Sequence, residues 1–331
     1  MAHRRVKECE RIVSENGKNQ PLTELKKRDV LTLLDFTSEE VKNLIELAGQ
    51  LKQDQQQSIS TPLLAGKSLG MIFENASTRT RVSFEVGMTQ LGGHALFLSP
   101  RDLQIGRGEP VKDTANVLSR YVDGIMIRTN SHEMVEELAA HADVPVINAL
   151  TDLYHPCQAL ADVLTIKEHK GKLEGLKAVF IGDGNNVAHS LMIACAKVGI
   201  DGVIAVPRGY EPDAEVWEEM KIVAEENNTS IELTNSPQEA IKNADVVYTD
   251  VWASMGFEEE QKKREEAFTG FQINESMCSH AKEDFIFMHC LPAHRGEEVS
   301  EEIIDGTHSV VYDEAENRLH IQKAILASVI E

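Results

Sequence analysis

Ser77-Thr78-Arg79-Thr80-Arg81 combines hydroxyls with guanidinium groups, the side chains that bind phosphate. If such a run opens a helix, its unpaired backbone N–H groups form an anion site, and an arginine adds a two-pronged grip. Arg128, after the apolar run 124–127, supplies another cation. In His155-Pro156-Cys157-Gln158 the imidazole and the carboxamide are three residues apart and share one face of a helix start. The first can donate to a carbonyl oxygen, and the second can read an NH2 group. The asparagines of Gly182-Asp183-Gly184-Asn185-Asn186 suit the polar groups of an amino acid, and Asp250 suits an ammonium. Cys290, within His289-Cys290-Leu291-Pro292, is a nucleophile only if a base lies beside it. Taken singly, each segment is also compatible with a solvated turn, a helix cap or an inert buried thiol. Gly182–Asn186 has the look of a dinucleotide-binding turn, but Val187 stands where a third glycine belongs, which disfavours NAD. His289 and His294 do not have a zinc-site spacing with Cys290, so no metal is expected.

These residues sit on a chain that alternates strand and helix. Thr37 and Glu40 form a capping box, and Phe36 with Val41 are placed to close it as a hydrophobic staple. Apolar residues then recur at Val41, Leu44, Ile45, Ala48 and Leu51, a helical period. Short apolar runs follow at 69–73, 95–98, 124–127 and 144–149, with helical patterns at 111–121 and 132–142. A second series runs through 178–181, 203–206, 231–233, 246–248 and 285–288. The pattern predicts an α/β fold of two domains, each a parallel sheet with helices on both faces, joined by interdomain helices. One such helix is expected at 158–170, and a last one, 316–330, has no strand after it and can return to the first domain. Every chemically unusual segment follows the carboxyl end of an expected strand, where open parallel sheets bind ligands.

Composition narrows the partners. The chain has 331 residues and a formal charge of −21, which repels nucleic acid and anionic lipid. A small anion remains an option where arginines converge. No apolar run is long enough to span a bilayer. The polar start, with Glu8, Glu10 and Glu15 beside its arginines, reads as a flexible tail of a cytoplasmic protein. Five cysteines, Cys9, Cys157, Cys195, Cys278 and Cys290, make no regular framework and read as reduced thiols.

In their order along the chain, from about Lys27 to Glu331, these segments resemble the aspartate and ornithine carbamoyltransferase family. Ser77-Thr78-Arg79-Thr80-Arg81 and His155-Pro156-Cys157-Gln158 are similar to its two carbamoyl-phosphate motifs. Ser254-Met255-Gly256, downstream of Asp250, and His289-Cys290-Leu291-Pro292 are similar to its ornithine branch. The resemblance implies transfer of a carbamoyl group from carbamoyl phosphate to the δ-amine of ornithine, without a cofactor, in a homotrimer with active sites at subunit boundaries. Ser77, Thr78, Arg79, Thr80, Arg128, His155, Gln158 and Arg318 would then hold carbamoyl phosphate. Gln104 would reach a neighbouring subunit's site. Asn186, Asp250, Ser254 and Met255 would hold ornithine, and Cys290 and the Leu291 carbonyl would line the reaction centre. Arg128, His155, Cys290, Asp250 and Thr80 are the expected catalytic set. The implied organisation is an N-terminal extension 1–26, a carbamoyl-phosphate-binding domain 27–154 completed by helix 316–331, a linking helix 155–170 and an ornithine-binding domain 171–315. Three competing readings are a transferase for putrescine or aspartate, a nicotinamide-dependent oxidoreductase, and a non-catalytic subunit of the same fold.

Overall fold

The computed structural model describes residues 24–99, 101, 103–104, 108–253 and 260–331. Residues 1–23 of the expected extension, and the expected ornithine ligands Ser254 and Met255, lie outside the described residues. In chain order the first half carries α1 (Ser38–Gln56), β1 (Ser68–Phe73), α2 (Thr78–Gln90), β2 (His94–Leu98), α3 (Val111–Leu118), β3 (Gly124–Arg128), α4 (His132–His141) and β4 (Val146–Leu150). There follow α5 (Pro156–Lys170), β5 (Lys177–Ile181), α6 (Asn186–Val198), β6 (Asp201–Ala205), α7 (Ala214–Glu226), β7 (Ile231–Thr234) and α8 (Pro237–Ala240). The chain ends with β8 (Val246–Tyr248), α9 (Gln261–Ala267), α10 (Glu275–Cys278), β9 (Ile286–Met288), α11 (Glu301–Ile304) and α12 (Val311–Val329).

The chain forms two compact units. Among the described residues, the first is built from residues 24–31, Lys42–Asp152 and Arg318–Glu331. Its four-stranded sheet has the order β2-β1-β3-β4, and all pairings are parallel. Residues of β1 and β3 are buried almost throughout, as strands covered on both faces must be, whereas the edge strand β2 is largely open. Ile72, Ile125, Ile127, Val135 and Leu138 are the centre of a core that also takes in Ala115 of α3.

The second unit comprises Thr32–Val41 and Leu153–Asn317. Its five-stranded sheet has the order β7-β6-β5-β8-β9, again wholly parallel. Val179, Ile181, Val247 and Phe287 of its strands pack with Trp252, Phe268 and Ile273. The expected α/β architecture of two parallel sheets with helices is therefore observed.

Local signals and boundaries have physical reasons. The Thr37–Glu40 capping box is formed in both directions, Thr37 N donating to Glu40 Oε2 at 2.7 Å and Glu40 N to Thr37 Oγ1 at 3.2 Å. The helix expected at 158–170 starts earlier, at Pro156, because proline fits the first helical turn, and it ends at Gly171, whose φ is +69°. The helix expected at 111–121 stops at Leu118, and residues 119–121 form a turn. The last helix starts at Val311 rather than 316, with Asp313 and Glu314 in its first turn, where acids complement the helix dipole. That shift brings Glu314, which falls outside the expected helix, onto a buried helical position.

Candidate active site

Each sheet has one place where the chain leaves neighbouring strands in opposite directions, and ligands of open α/β sheets bind at the carboxyl ends beside such a switch. In the first unit the switch lies between β1 and β3. Ser77–Thr80 follow the end of β1, and Arg128 is the last residue of β3, paired with Phe73. In the second unit it lies between β5 and β8, where Gly182–Asn186 and Asp250 emerge.

In the first unit the Ser77 side chain caps α2 by accepting from Thr80 N at 3.3 Å. Its hydroxyl donates to Thr80 Oγ1 at 3.0 Å, and Arg318 Nη2 donates to the same oxygen at 2.6 Å. Two donors into Thr80 Oγ1 leave the threonine's own hydrogen for an outside acceptor. Thr80 and Arg318 are buried, Thr78 is exposed, and Arg79 is half-buried in the first turn of α2. Arg81 has other work, with its Nε 2.9 Å from Glu85 Oε1 and its guanidinium 3.8 Å from the Phe97 ring centre. Arg128 is buried, and its carbonyl accepts from Glu74 N at 2.9 Å, so the loop after β1 is tied to the end of β3. Asn75 Nδ2 donates to Asn130 Oδ1 at 2.6 Å and closes the same two loops further out. Gln104 stands on an exposed bend, and its backbone carbonyl accepts from Glu109 N.

In the second unit His155 precedes α5, and its backbone N donates to Ser190 Oγ at 2.8 Å. Gln158 is buried, and its Nε2 donates to Asp162 Oδ1 at 2.8 Å and to Glu314 Oε1 at 3.0 Å. Its carbonyl oxygen Oε1 is also buried and has no hydrogen-bond partner among the described residues. Glu314 further accepts from Tyr248 O–H at 3.0 Å and from His289 N at 2.9 Å, and it hydrogen-bonds Asp162. Burial outweighs these donors and raises the Glu314 carboxyl to about 7.

Asp250 is buried at the end of β8. It accepts from Asn185 Nδ2 at 2.9 Å, from its neighbour Val251 N at 2.8 Å and from the Cys290 thiol at 3.1 Å. Burial, reinforced by the Asp250 and Glu314 carboxylates, pushes the Cys290 thiol well above its ordinary range, so it is not a ready thiolate. Leu291 N donates to His289 Nδ1 at 2.9 Å, which assigns the ring hydrogen to Nε2, 3.2 Å from Glu298 Oε1. Leu291, so braced, has a left-handed backbone, φ +57°. Asp250, His289 and Cys290 place ligand-type atoms within 4.8 Å of one another. Both nitrogens of His289 are nevertheless engaged and the thiol keeps its proton, so the trio is a hydrogen-bonded set rather than an open metal site.

Asn186, the expected ornithine ligand, is the first residue of α6 and is half-buried. The cap itself is Asn185, whose Oδ1 accepts from Val187 N and Ala188 N. Gly184 answers a packing need: a Cβ there would lie 2.4 Å from Pro212 N, and Gly184 N donates to Tyr210 O at 2.9 Å. The chain at 210–212 thus packs directly on the turn at Gly184. Sequence reasoning paired Asn185 with Asn186 without telling their roles apart, and it missed Glu298, Arg264 and Glu314. Arg264 of α9 pairs with Asp183 and donates to Trp252 O at 2.8 Å, which anchors the chain just before the 254–259 segment. An arginine or an acid on a helix, such as Arg264 and Glu314, or an acid in a turn, such as Glu298, ordinarily faces water, so nothing in their spacing singles these residues out.

Comparison with known proteins adds to this geometry. Residues 28–168 match the carbamoyl-P binding domain of aspartate/ornithine carbamoyltransferases, and residues 174–329 match the Asp/Orn binding domain. An ornithine carbamoyltransferase of Halalkalibacterium halodurans is 63% identical over 315 residues, covering 95% of this chain and 99% of the relative. That of Bacillus subtilis is 60% identical over 308 residues, covering 93% and 95%. Among solved structures, ornithine carbamoyltransferase from Pyrococcus furiosus is similar with a TM-score of 0.90 at 57% identity, covering 92% of this chain and 98% of the other. With two domain matches in series and relatives of this identity along nearly its whole length, the chain belongs to the aspartate/ornithine carbamoyltransferase family.

Proposed function

We propose that this protein is an ornithine carbamoyltransferase that moves the carbamoyl group of carbamoyl phosphate onto the δ-amine of L-ornithine, giving L-citrulline and phosphate. The observation that carries the reading is the Ser77–Thr80–Arg318 set at the end of β1, a hydroxyl and guanidinium cradle with a free hydroxyl hydrogen. Within the first unit, Ser77, Thr78, Arg79 and Arg318 bind the phosphate, and Thr80 and Arg128 donate to the carbamoyl oxygen. Within the second, His155 donates to that oxygen, and Gln158 and the Leu291 carbonyl accept from the carbamoyl NH2. Asp250, with Asn186, Ser254 and Met255, holds ornithine. The overall charge of −21 does not prevent anion binding, because exposed charges are screened beyond a Debye length of about 8–10 Å.

The chemistry asks for position and electrostatics more than for covalent help. The deprotonated δ-amine attacks the carbamoyl carbon, and the carbonyl electrons move onto oxygen. Thr80, Arg128 and His155 stabilise that oxyanion, each donor being worth about 2.7–4 kcal/mol by analogy with other oxyanion sites. The C–O bond to phosphate then breaks, the leaving charge is held by Arg79 and Arg318, and the amine's proton departs with the phosphate. Holding both reactants in register contributes roughly 7–11 kcal/mol. Asp250 orients the amine, with the protonated Cys290 thiol as its hydrogen-bond partner. No protein nucleophile is required.

The open edge of β2, with Leu96 and Phe97 exposed near Val82 and Val86 of α2, supports self-association, since bare sheet edges and apolar patches favour pairing. We assign that association to a homotrimer in which Gln104 serves an adjoining protomer's site. Cys157, Cys195, Cys278 and Cys290 form no disulfide among the described residues, which fits a cytoplasmic location. Initial rates with ornithine, putrescine and aspartate as acceptors test the acceptor directly. Ornithine must exceed the other two, and faster carbamoylation of either would replace this reading.

A further inference from the structure

We propose that Glu314, together with Asp162, is a positioning residue that fixes which end of the Gln158 amide meets the ligand, and so makes the site prefer a carbamoyl group to an acyl group of the same shape. The inference rests on the carbamoyltransferase reading above and deepens it. A glutamine amide is nearly symmetric in shape but opposite in chemistry at its two ends, one accepting and the other donating. At Gln158 both NH2 hydrogens are consumed, one by Asp162 Oδ1 at 2.8 Å and one by Glu314 Oε1 at 3.0 Å. Turning the amide over would set its oxygen against two carboxyl oxygens in a buried place, so the orientation is locked. Gln158 Oε1 is thereby left as a buried acceptor without a partner, a costly state that a ligand NH2 relieves.

Glu314 is itself held from several directions. Tyr248 O–H at the end of β8 shares Oε1, the backbone N–H of His289 after β9 takes Oε2, and Asp162 of α5 bonds the same carboxyl. The carboxyl pair therefore belongs to the frame of the second unit, and Gln158 is the movable amide it orients. Carbamoyl phosphate and acetyl phosphate differ at the recognised position only by NH2 against CH3. A site with a buried acceptor there rejects the methyl compound, because that acceptor stays unsatisfied.

Titration calorimetry with carbamoyl phosphate and with acetyl phosphate, on the wild type, Glu314→Gln, Gln158→Ala and the double variant, tests this. Glu314→Gln supplies NH2 hydrogens where one of the two carboxyls stood, so only Asp162 still opposes a turned Gln158 amide and its oxygen is no longer held toward the ligand. We expect carbamoyl phosphate affinity to fall about 10-fold, the worth of one hydrogen bond, with acetyl phosphate affinity within about 2-fold of wild type. Gln158→Ala should lose the same preference, and the double variant should be no worse than Gln158→Ala alone. An equal loss for both ligands, or a Glu314 effect that adds fully to that of Gln158, overturns the inference. If Glu314→Gln does not fold, hydrogen exchange of the Gln158 side-chain NH2 in the wild type decides: slow exchange of both hydrogens supports the lock, and free exchange of either overturns it. A wild type that binds neither compound overturns the functional reading itself. A wild type that prefers carbamoyl phosphate, with the preference intact in Glu314→Gln, overturns this inference alone.

Discussion

Arg318, 238 residues further along the chain, donates from Nη2 to Thr80 Oγ1 at 2.6 Å, and Ser77 Oγ donates to the same oxygen at 3.0 Å. The hydroxyl hydrogen this arrangement frees is aimed, in our account, at the developing oxyanion. Thr80→Val keeps the shape of the side chain and removes that hydrogen. Turnover should fall about 100- to 1000-fold, with the ornithine KM changing far less, as steady-state kinetics would reveal. A turnover near the wild-type value would take Thr80 out of the mechanism.

Arg128 is buried at the end of β3, where it is the register partner of Phe73. Arg128→Ala should fold, judged by circular dichroism, and should lose most of its turnover. Normal turnover in a folded variant would contradict its assigned role.

Asp250 accepts from Val251 N and the Cys290 thiol on Oδ1 and from Asn185 Nδ2 on Oδ2, so Asp250→Asn with its oxygen at Oδ1 keeps the first two bonds and loses the third along with the charge. Asp250→Asn should therefore raise the ornithine KM by about 10- to 100-fold, the worth of a hydrogen bond to a charged group. Carbamoyl phosphate binding, measured separately, should stay close to wild type. The neighbouring Cys290→Ser keeps a donor to Asp250, so its turnover should stay within about tenfold of wild type. A far larger loss would reveal a covalent role for the thiol.

The raised pKa of Glu314 carries a stability consequence. Its carboxyl binds a proton more tightly in the folded chain, about 7 against an ordinary 4.5. Between those values the native state holds a proton that the unfolded chain has released, so the contribution is full below pH 4.5 and is lost as pH rises through about 7. Melting temperatures taken across that window should decline with pH in the wild type, and the decline should be shallower in Glu314→Gln. Equal slopes would remove Glu314 as the source.

Gly184 packs against the backbone at Pro212, where an added methyl group would sit 2.4 Å from nitrogen. Gly184→Ala should destabilise the protein by about 1–3 kcal/mol, the usual range for overpacking, in urea denaturation. No change in midpoint would show that the 210–212 loop yields freely.

The sheets and the placement of the motifs were legible because they depend on local pattern. Apolar runs of strand length separated by helical periods allow few arrangements, and Ser77, Arg128, Asp250 and Cys290 all fall at strand ends, where parallel sheets expose their loops. The Thr37–Glu40 cap was legible for the same reason, since both partners lie within one turn. Glu314 and Glu298 were not. Their partners lie on other elements, as with Gln158, 156 residues away from Glu314, and an acid on a helix or in a turn looks solvated until the tertiary fold buries it. Between Asn185 and Asn186, spacing cannot decide which one caps α6, because a shift of a single residue at a helix start exchanges the roles.

The most direct test of the account is the yield of citrulline and phosphate from purified protein given carbamoyl phosphate and ornithine. We predict that the two products form in a one-to-one ratio and that neither accumulates above background when ornithine is omitted. Phosphate release without citrulline, or no reaction with ornithine from a folded protein, would contradict it.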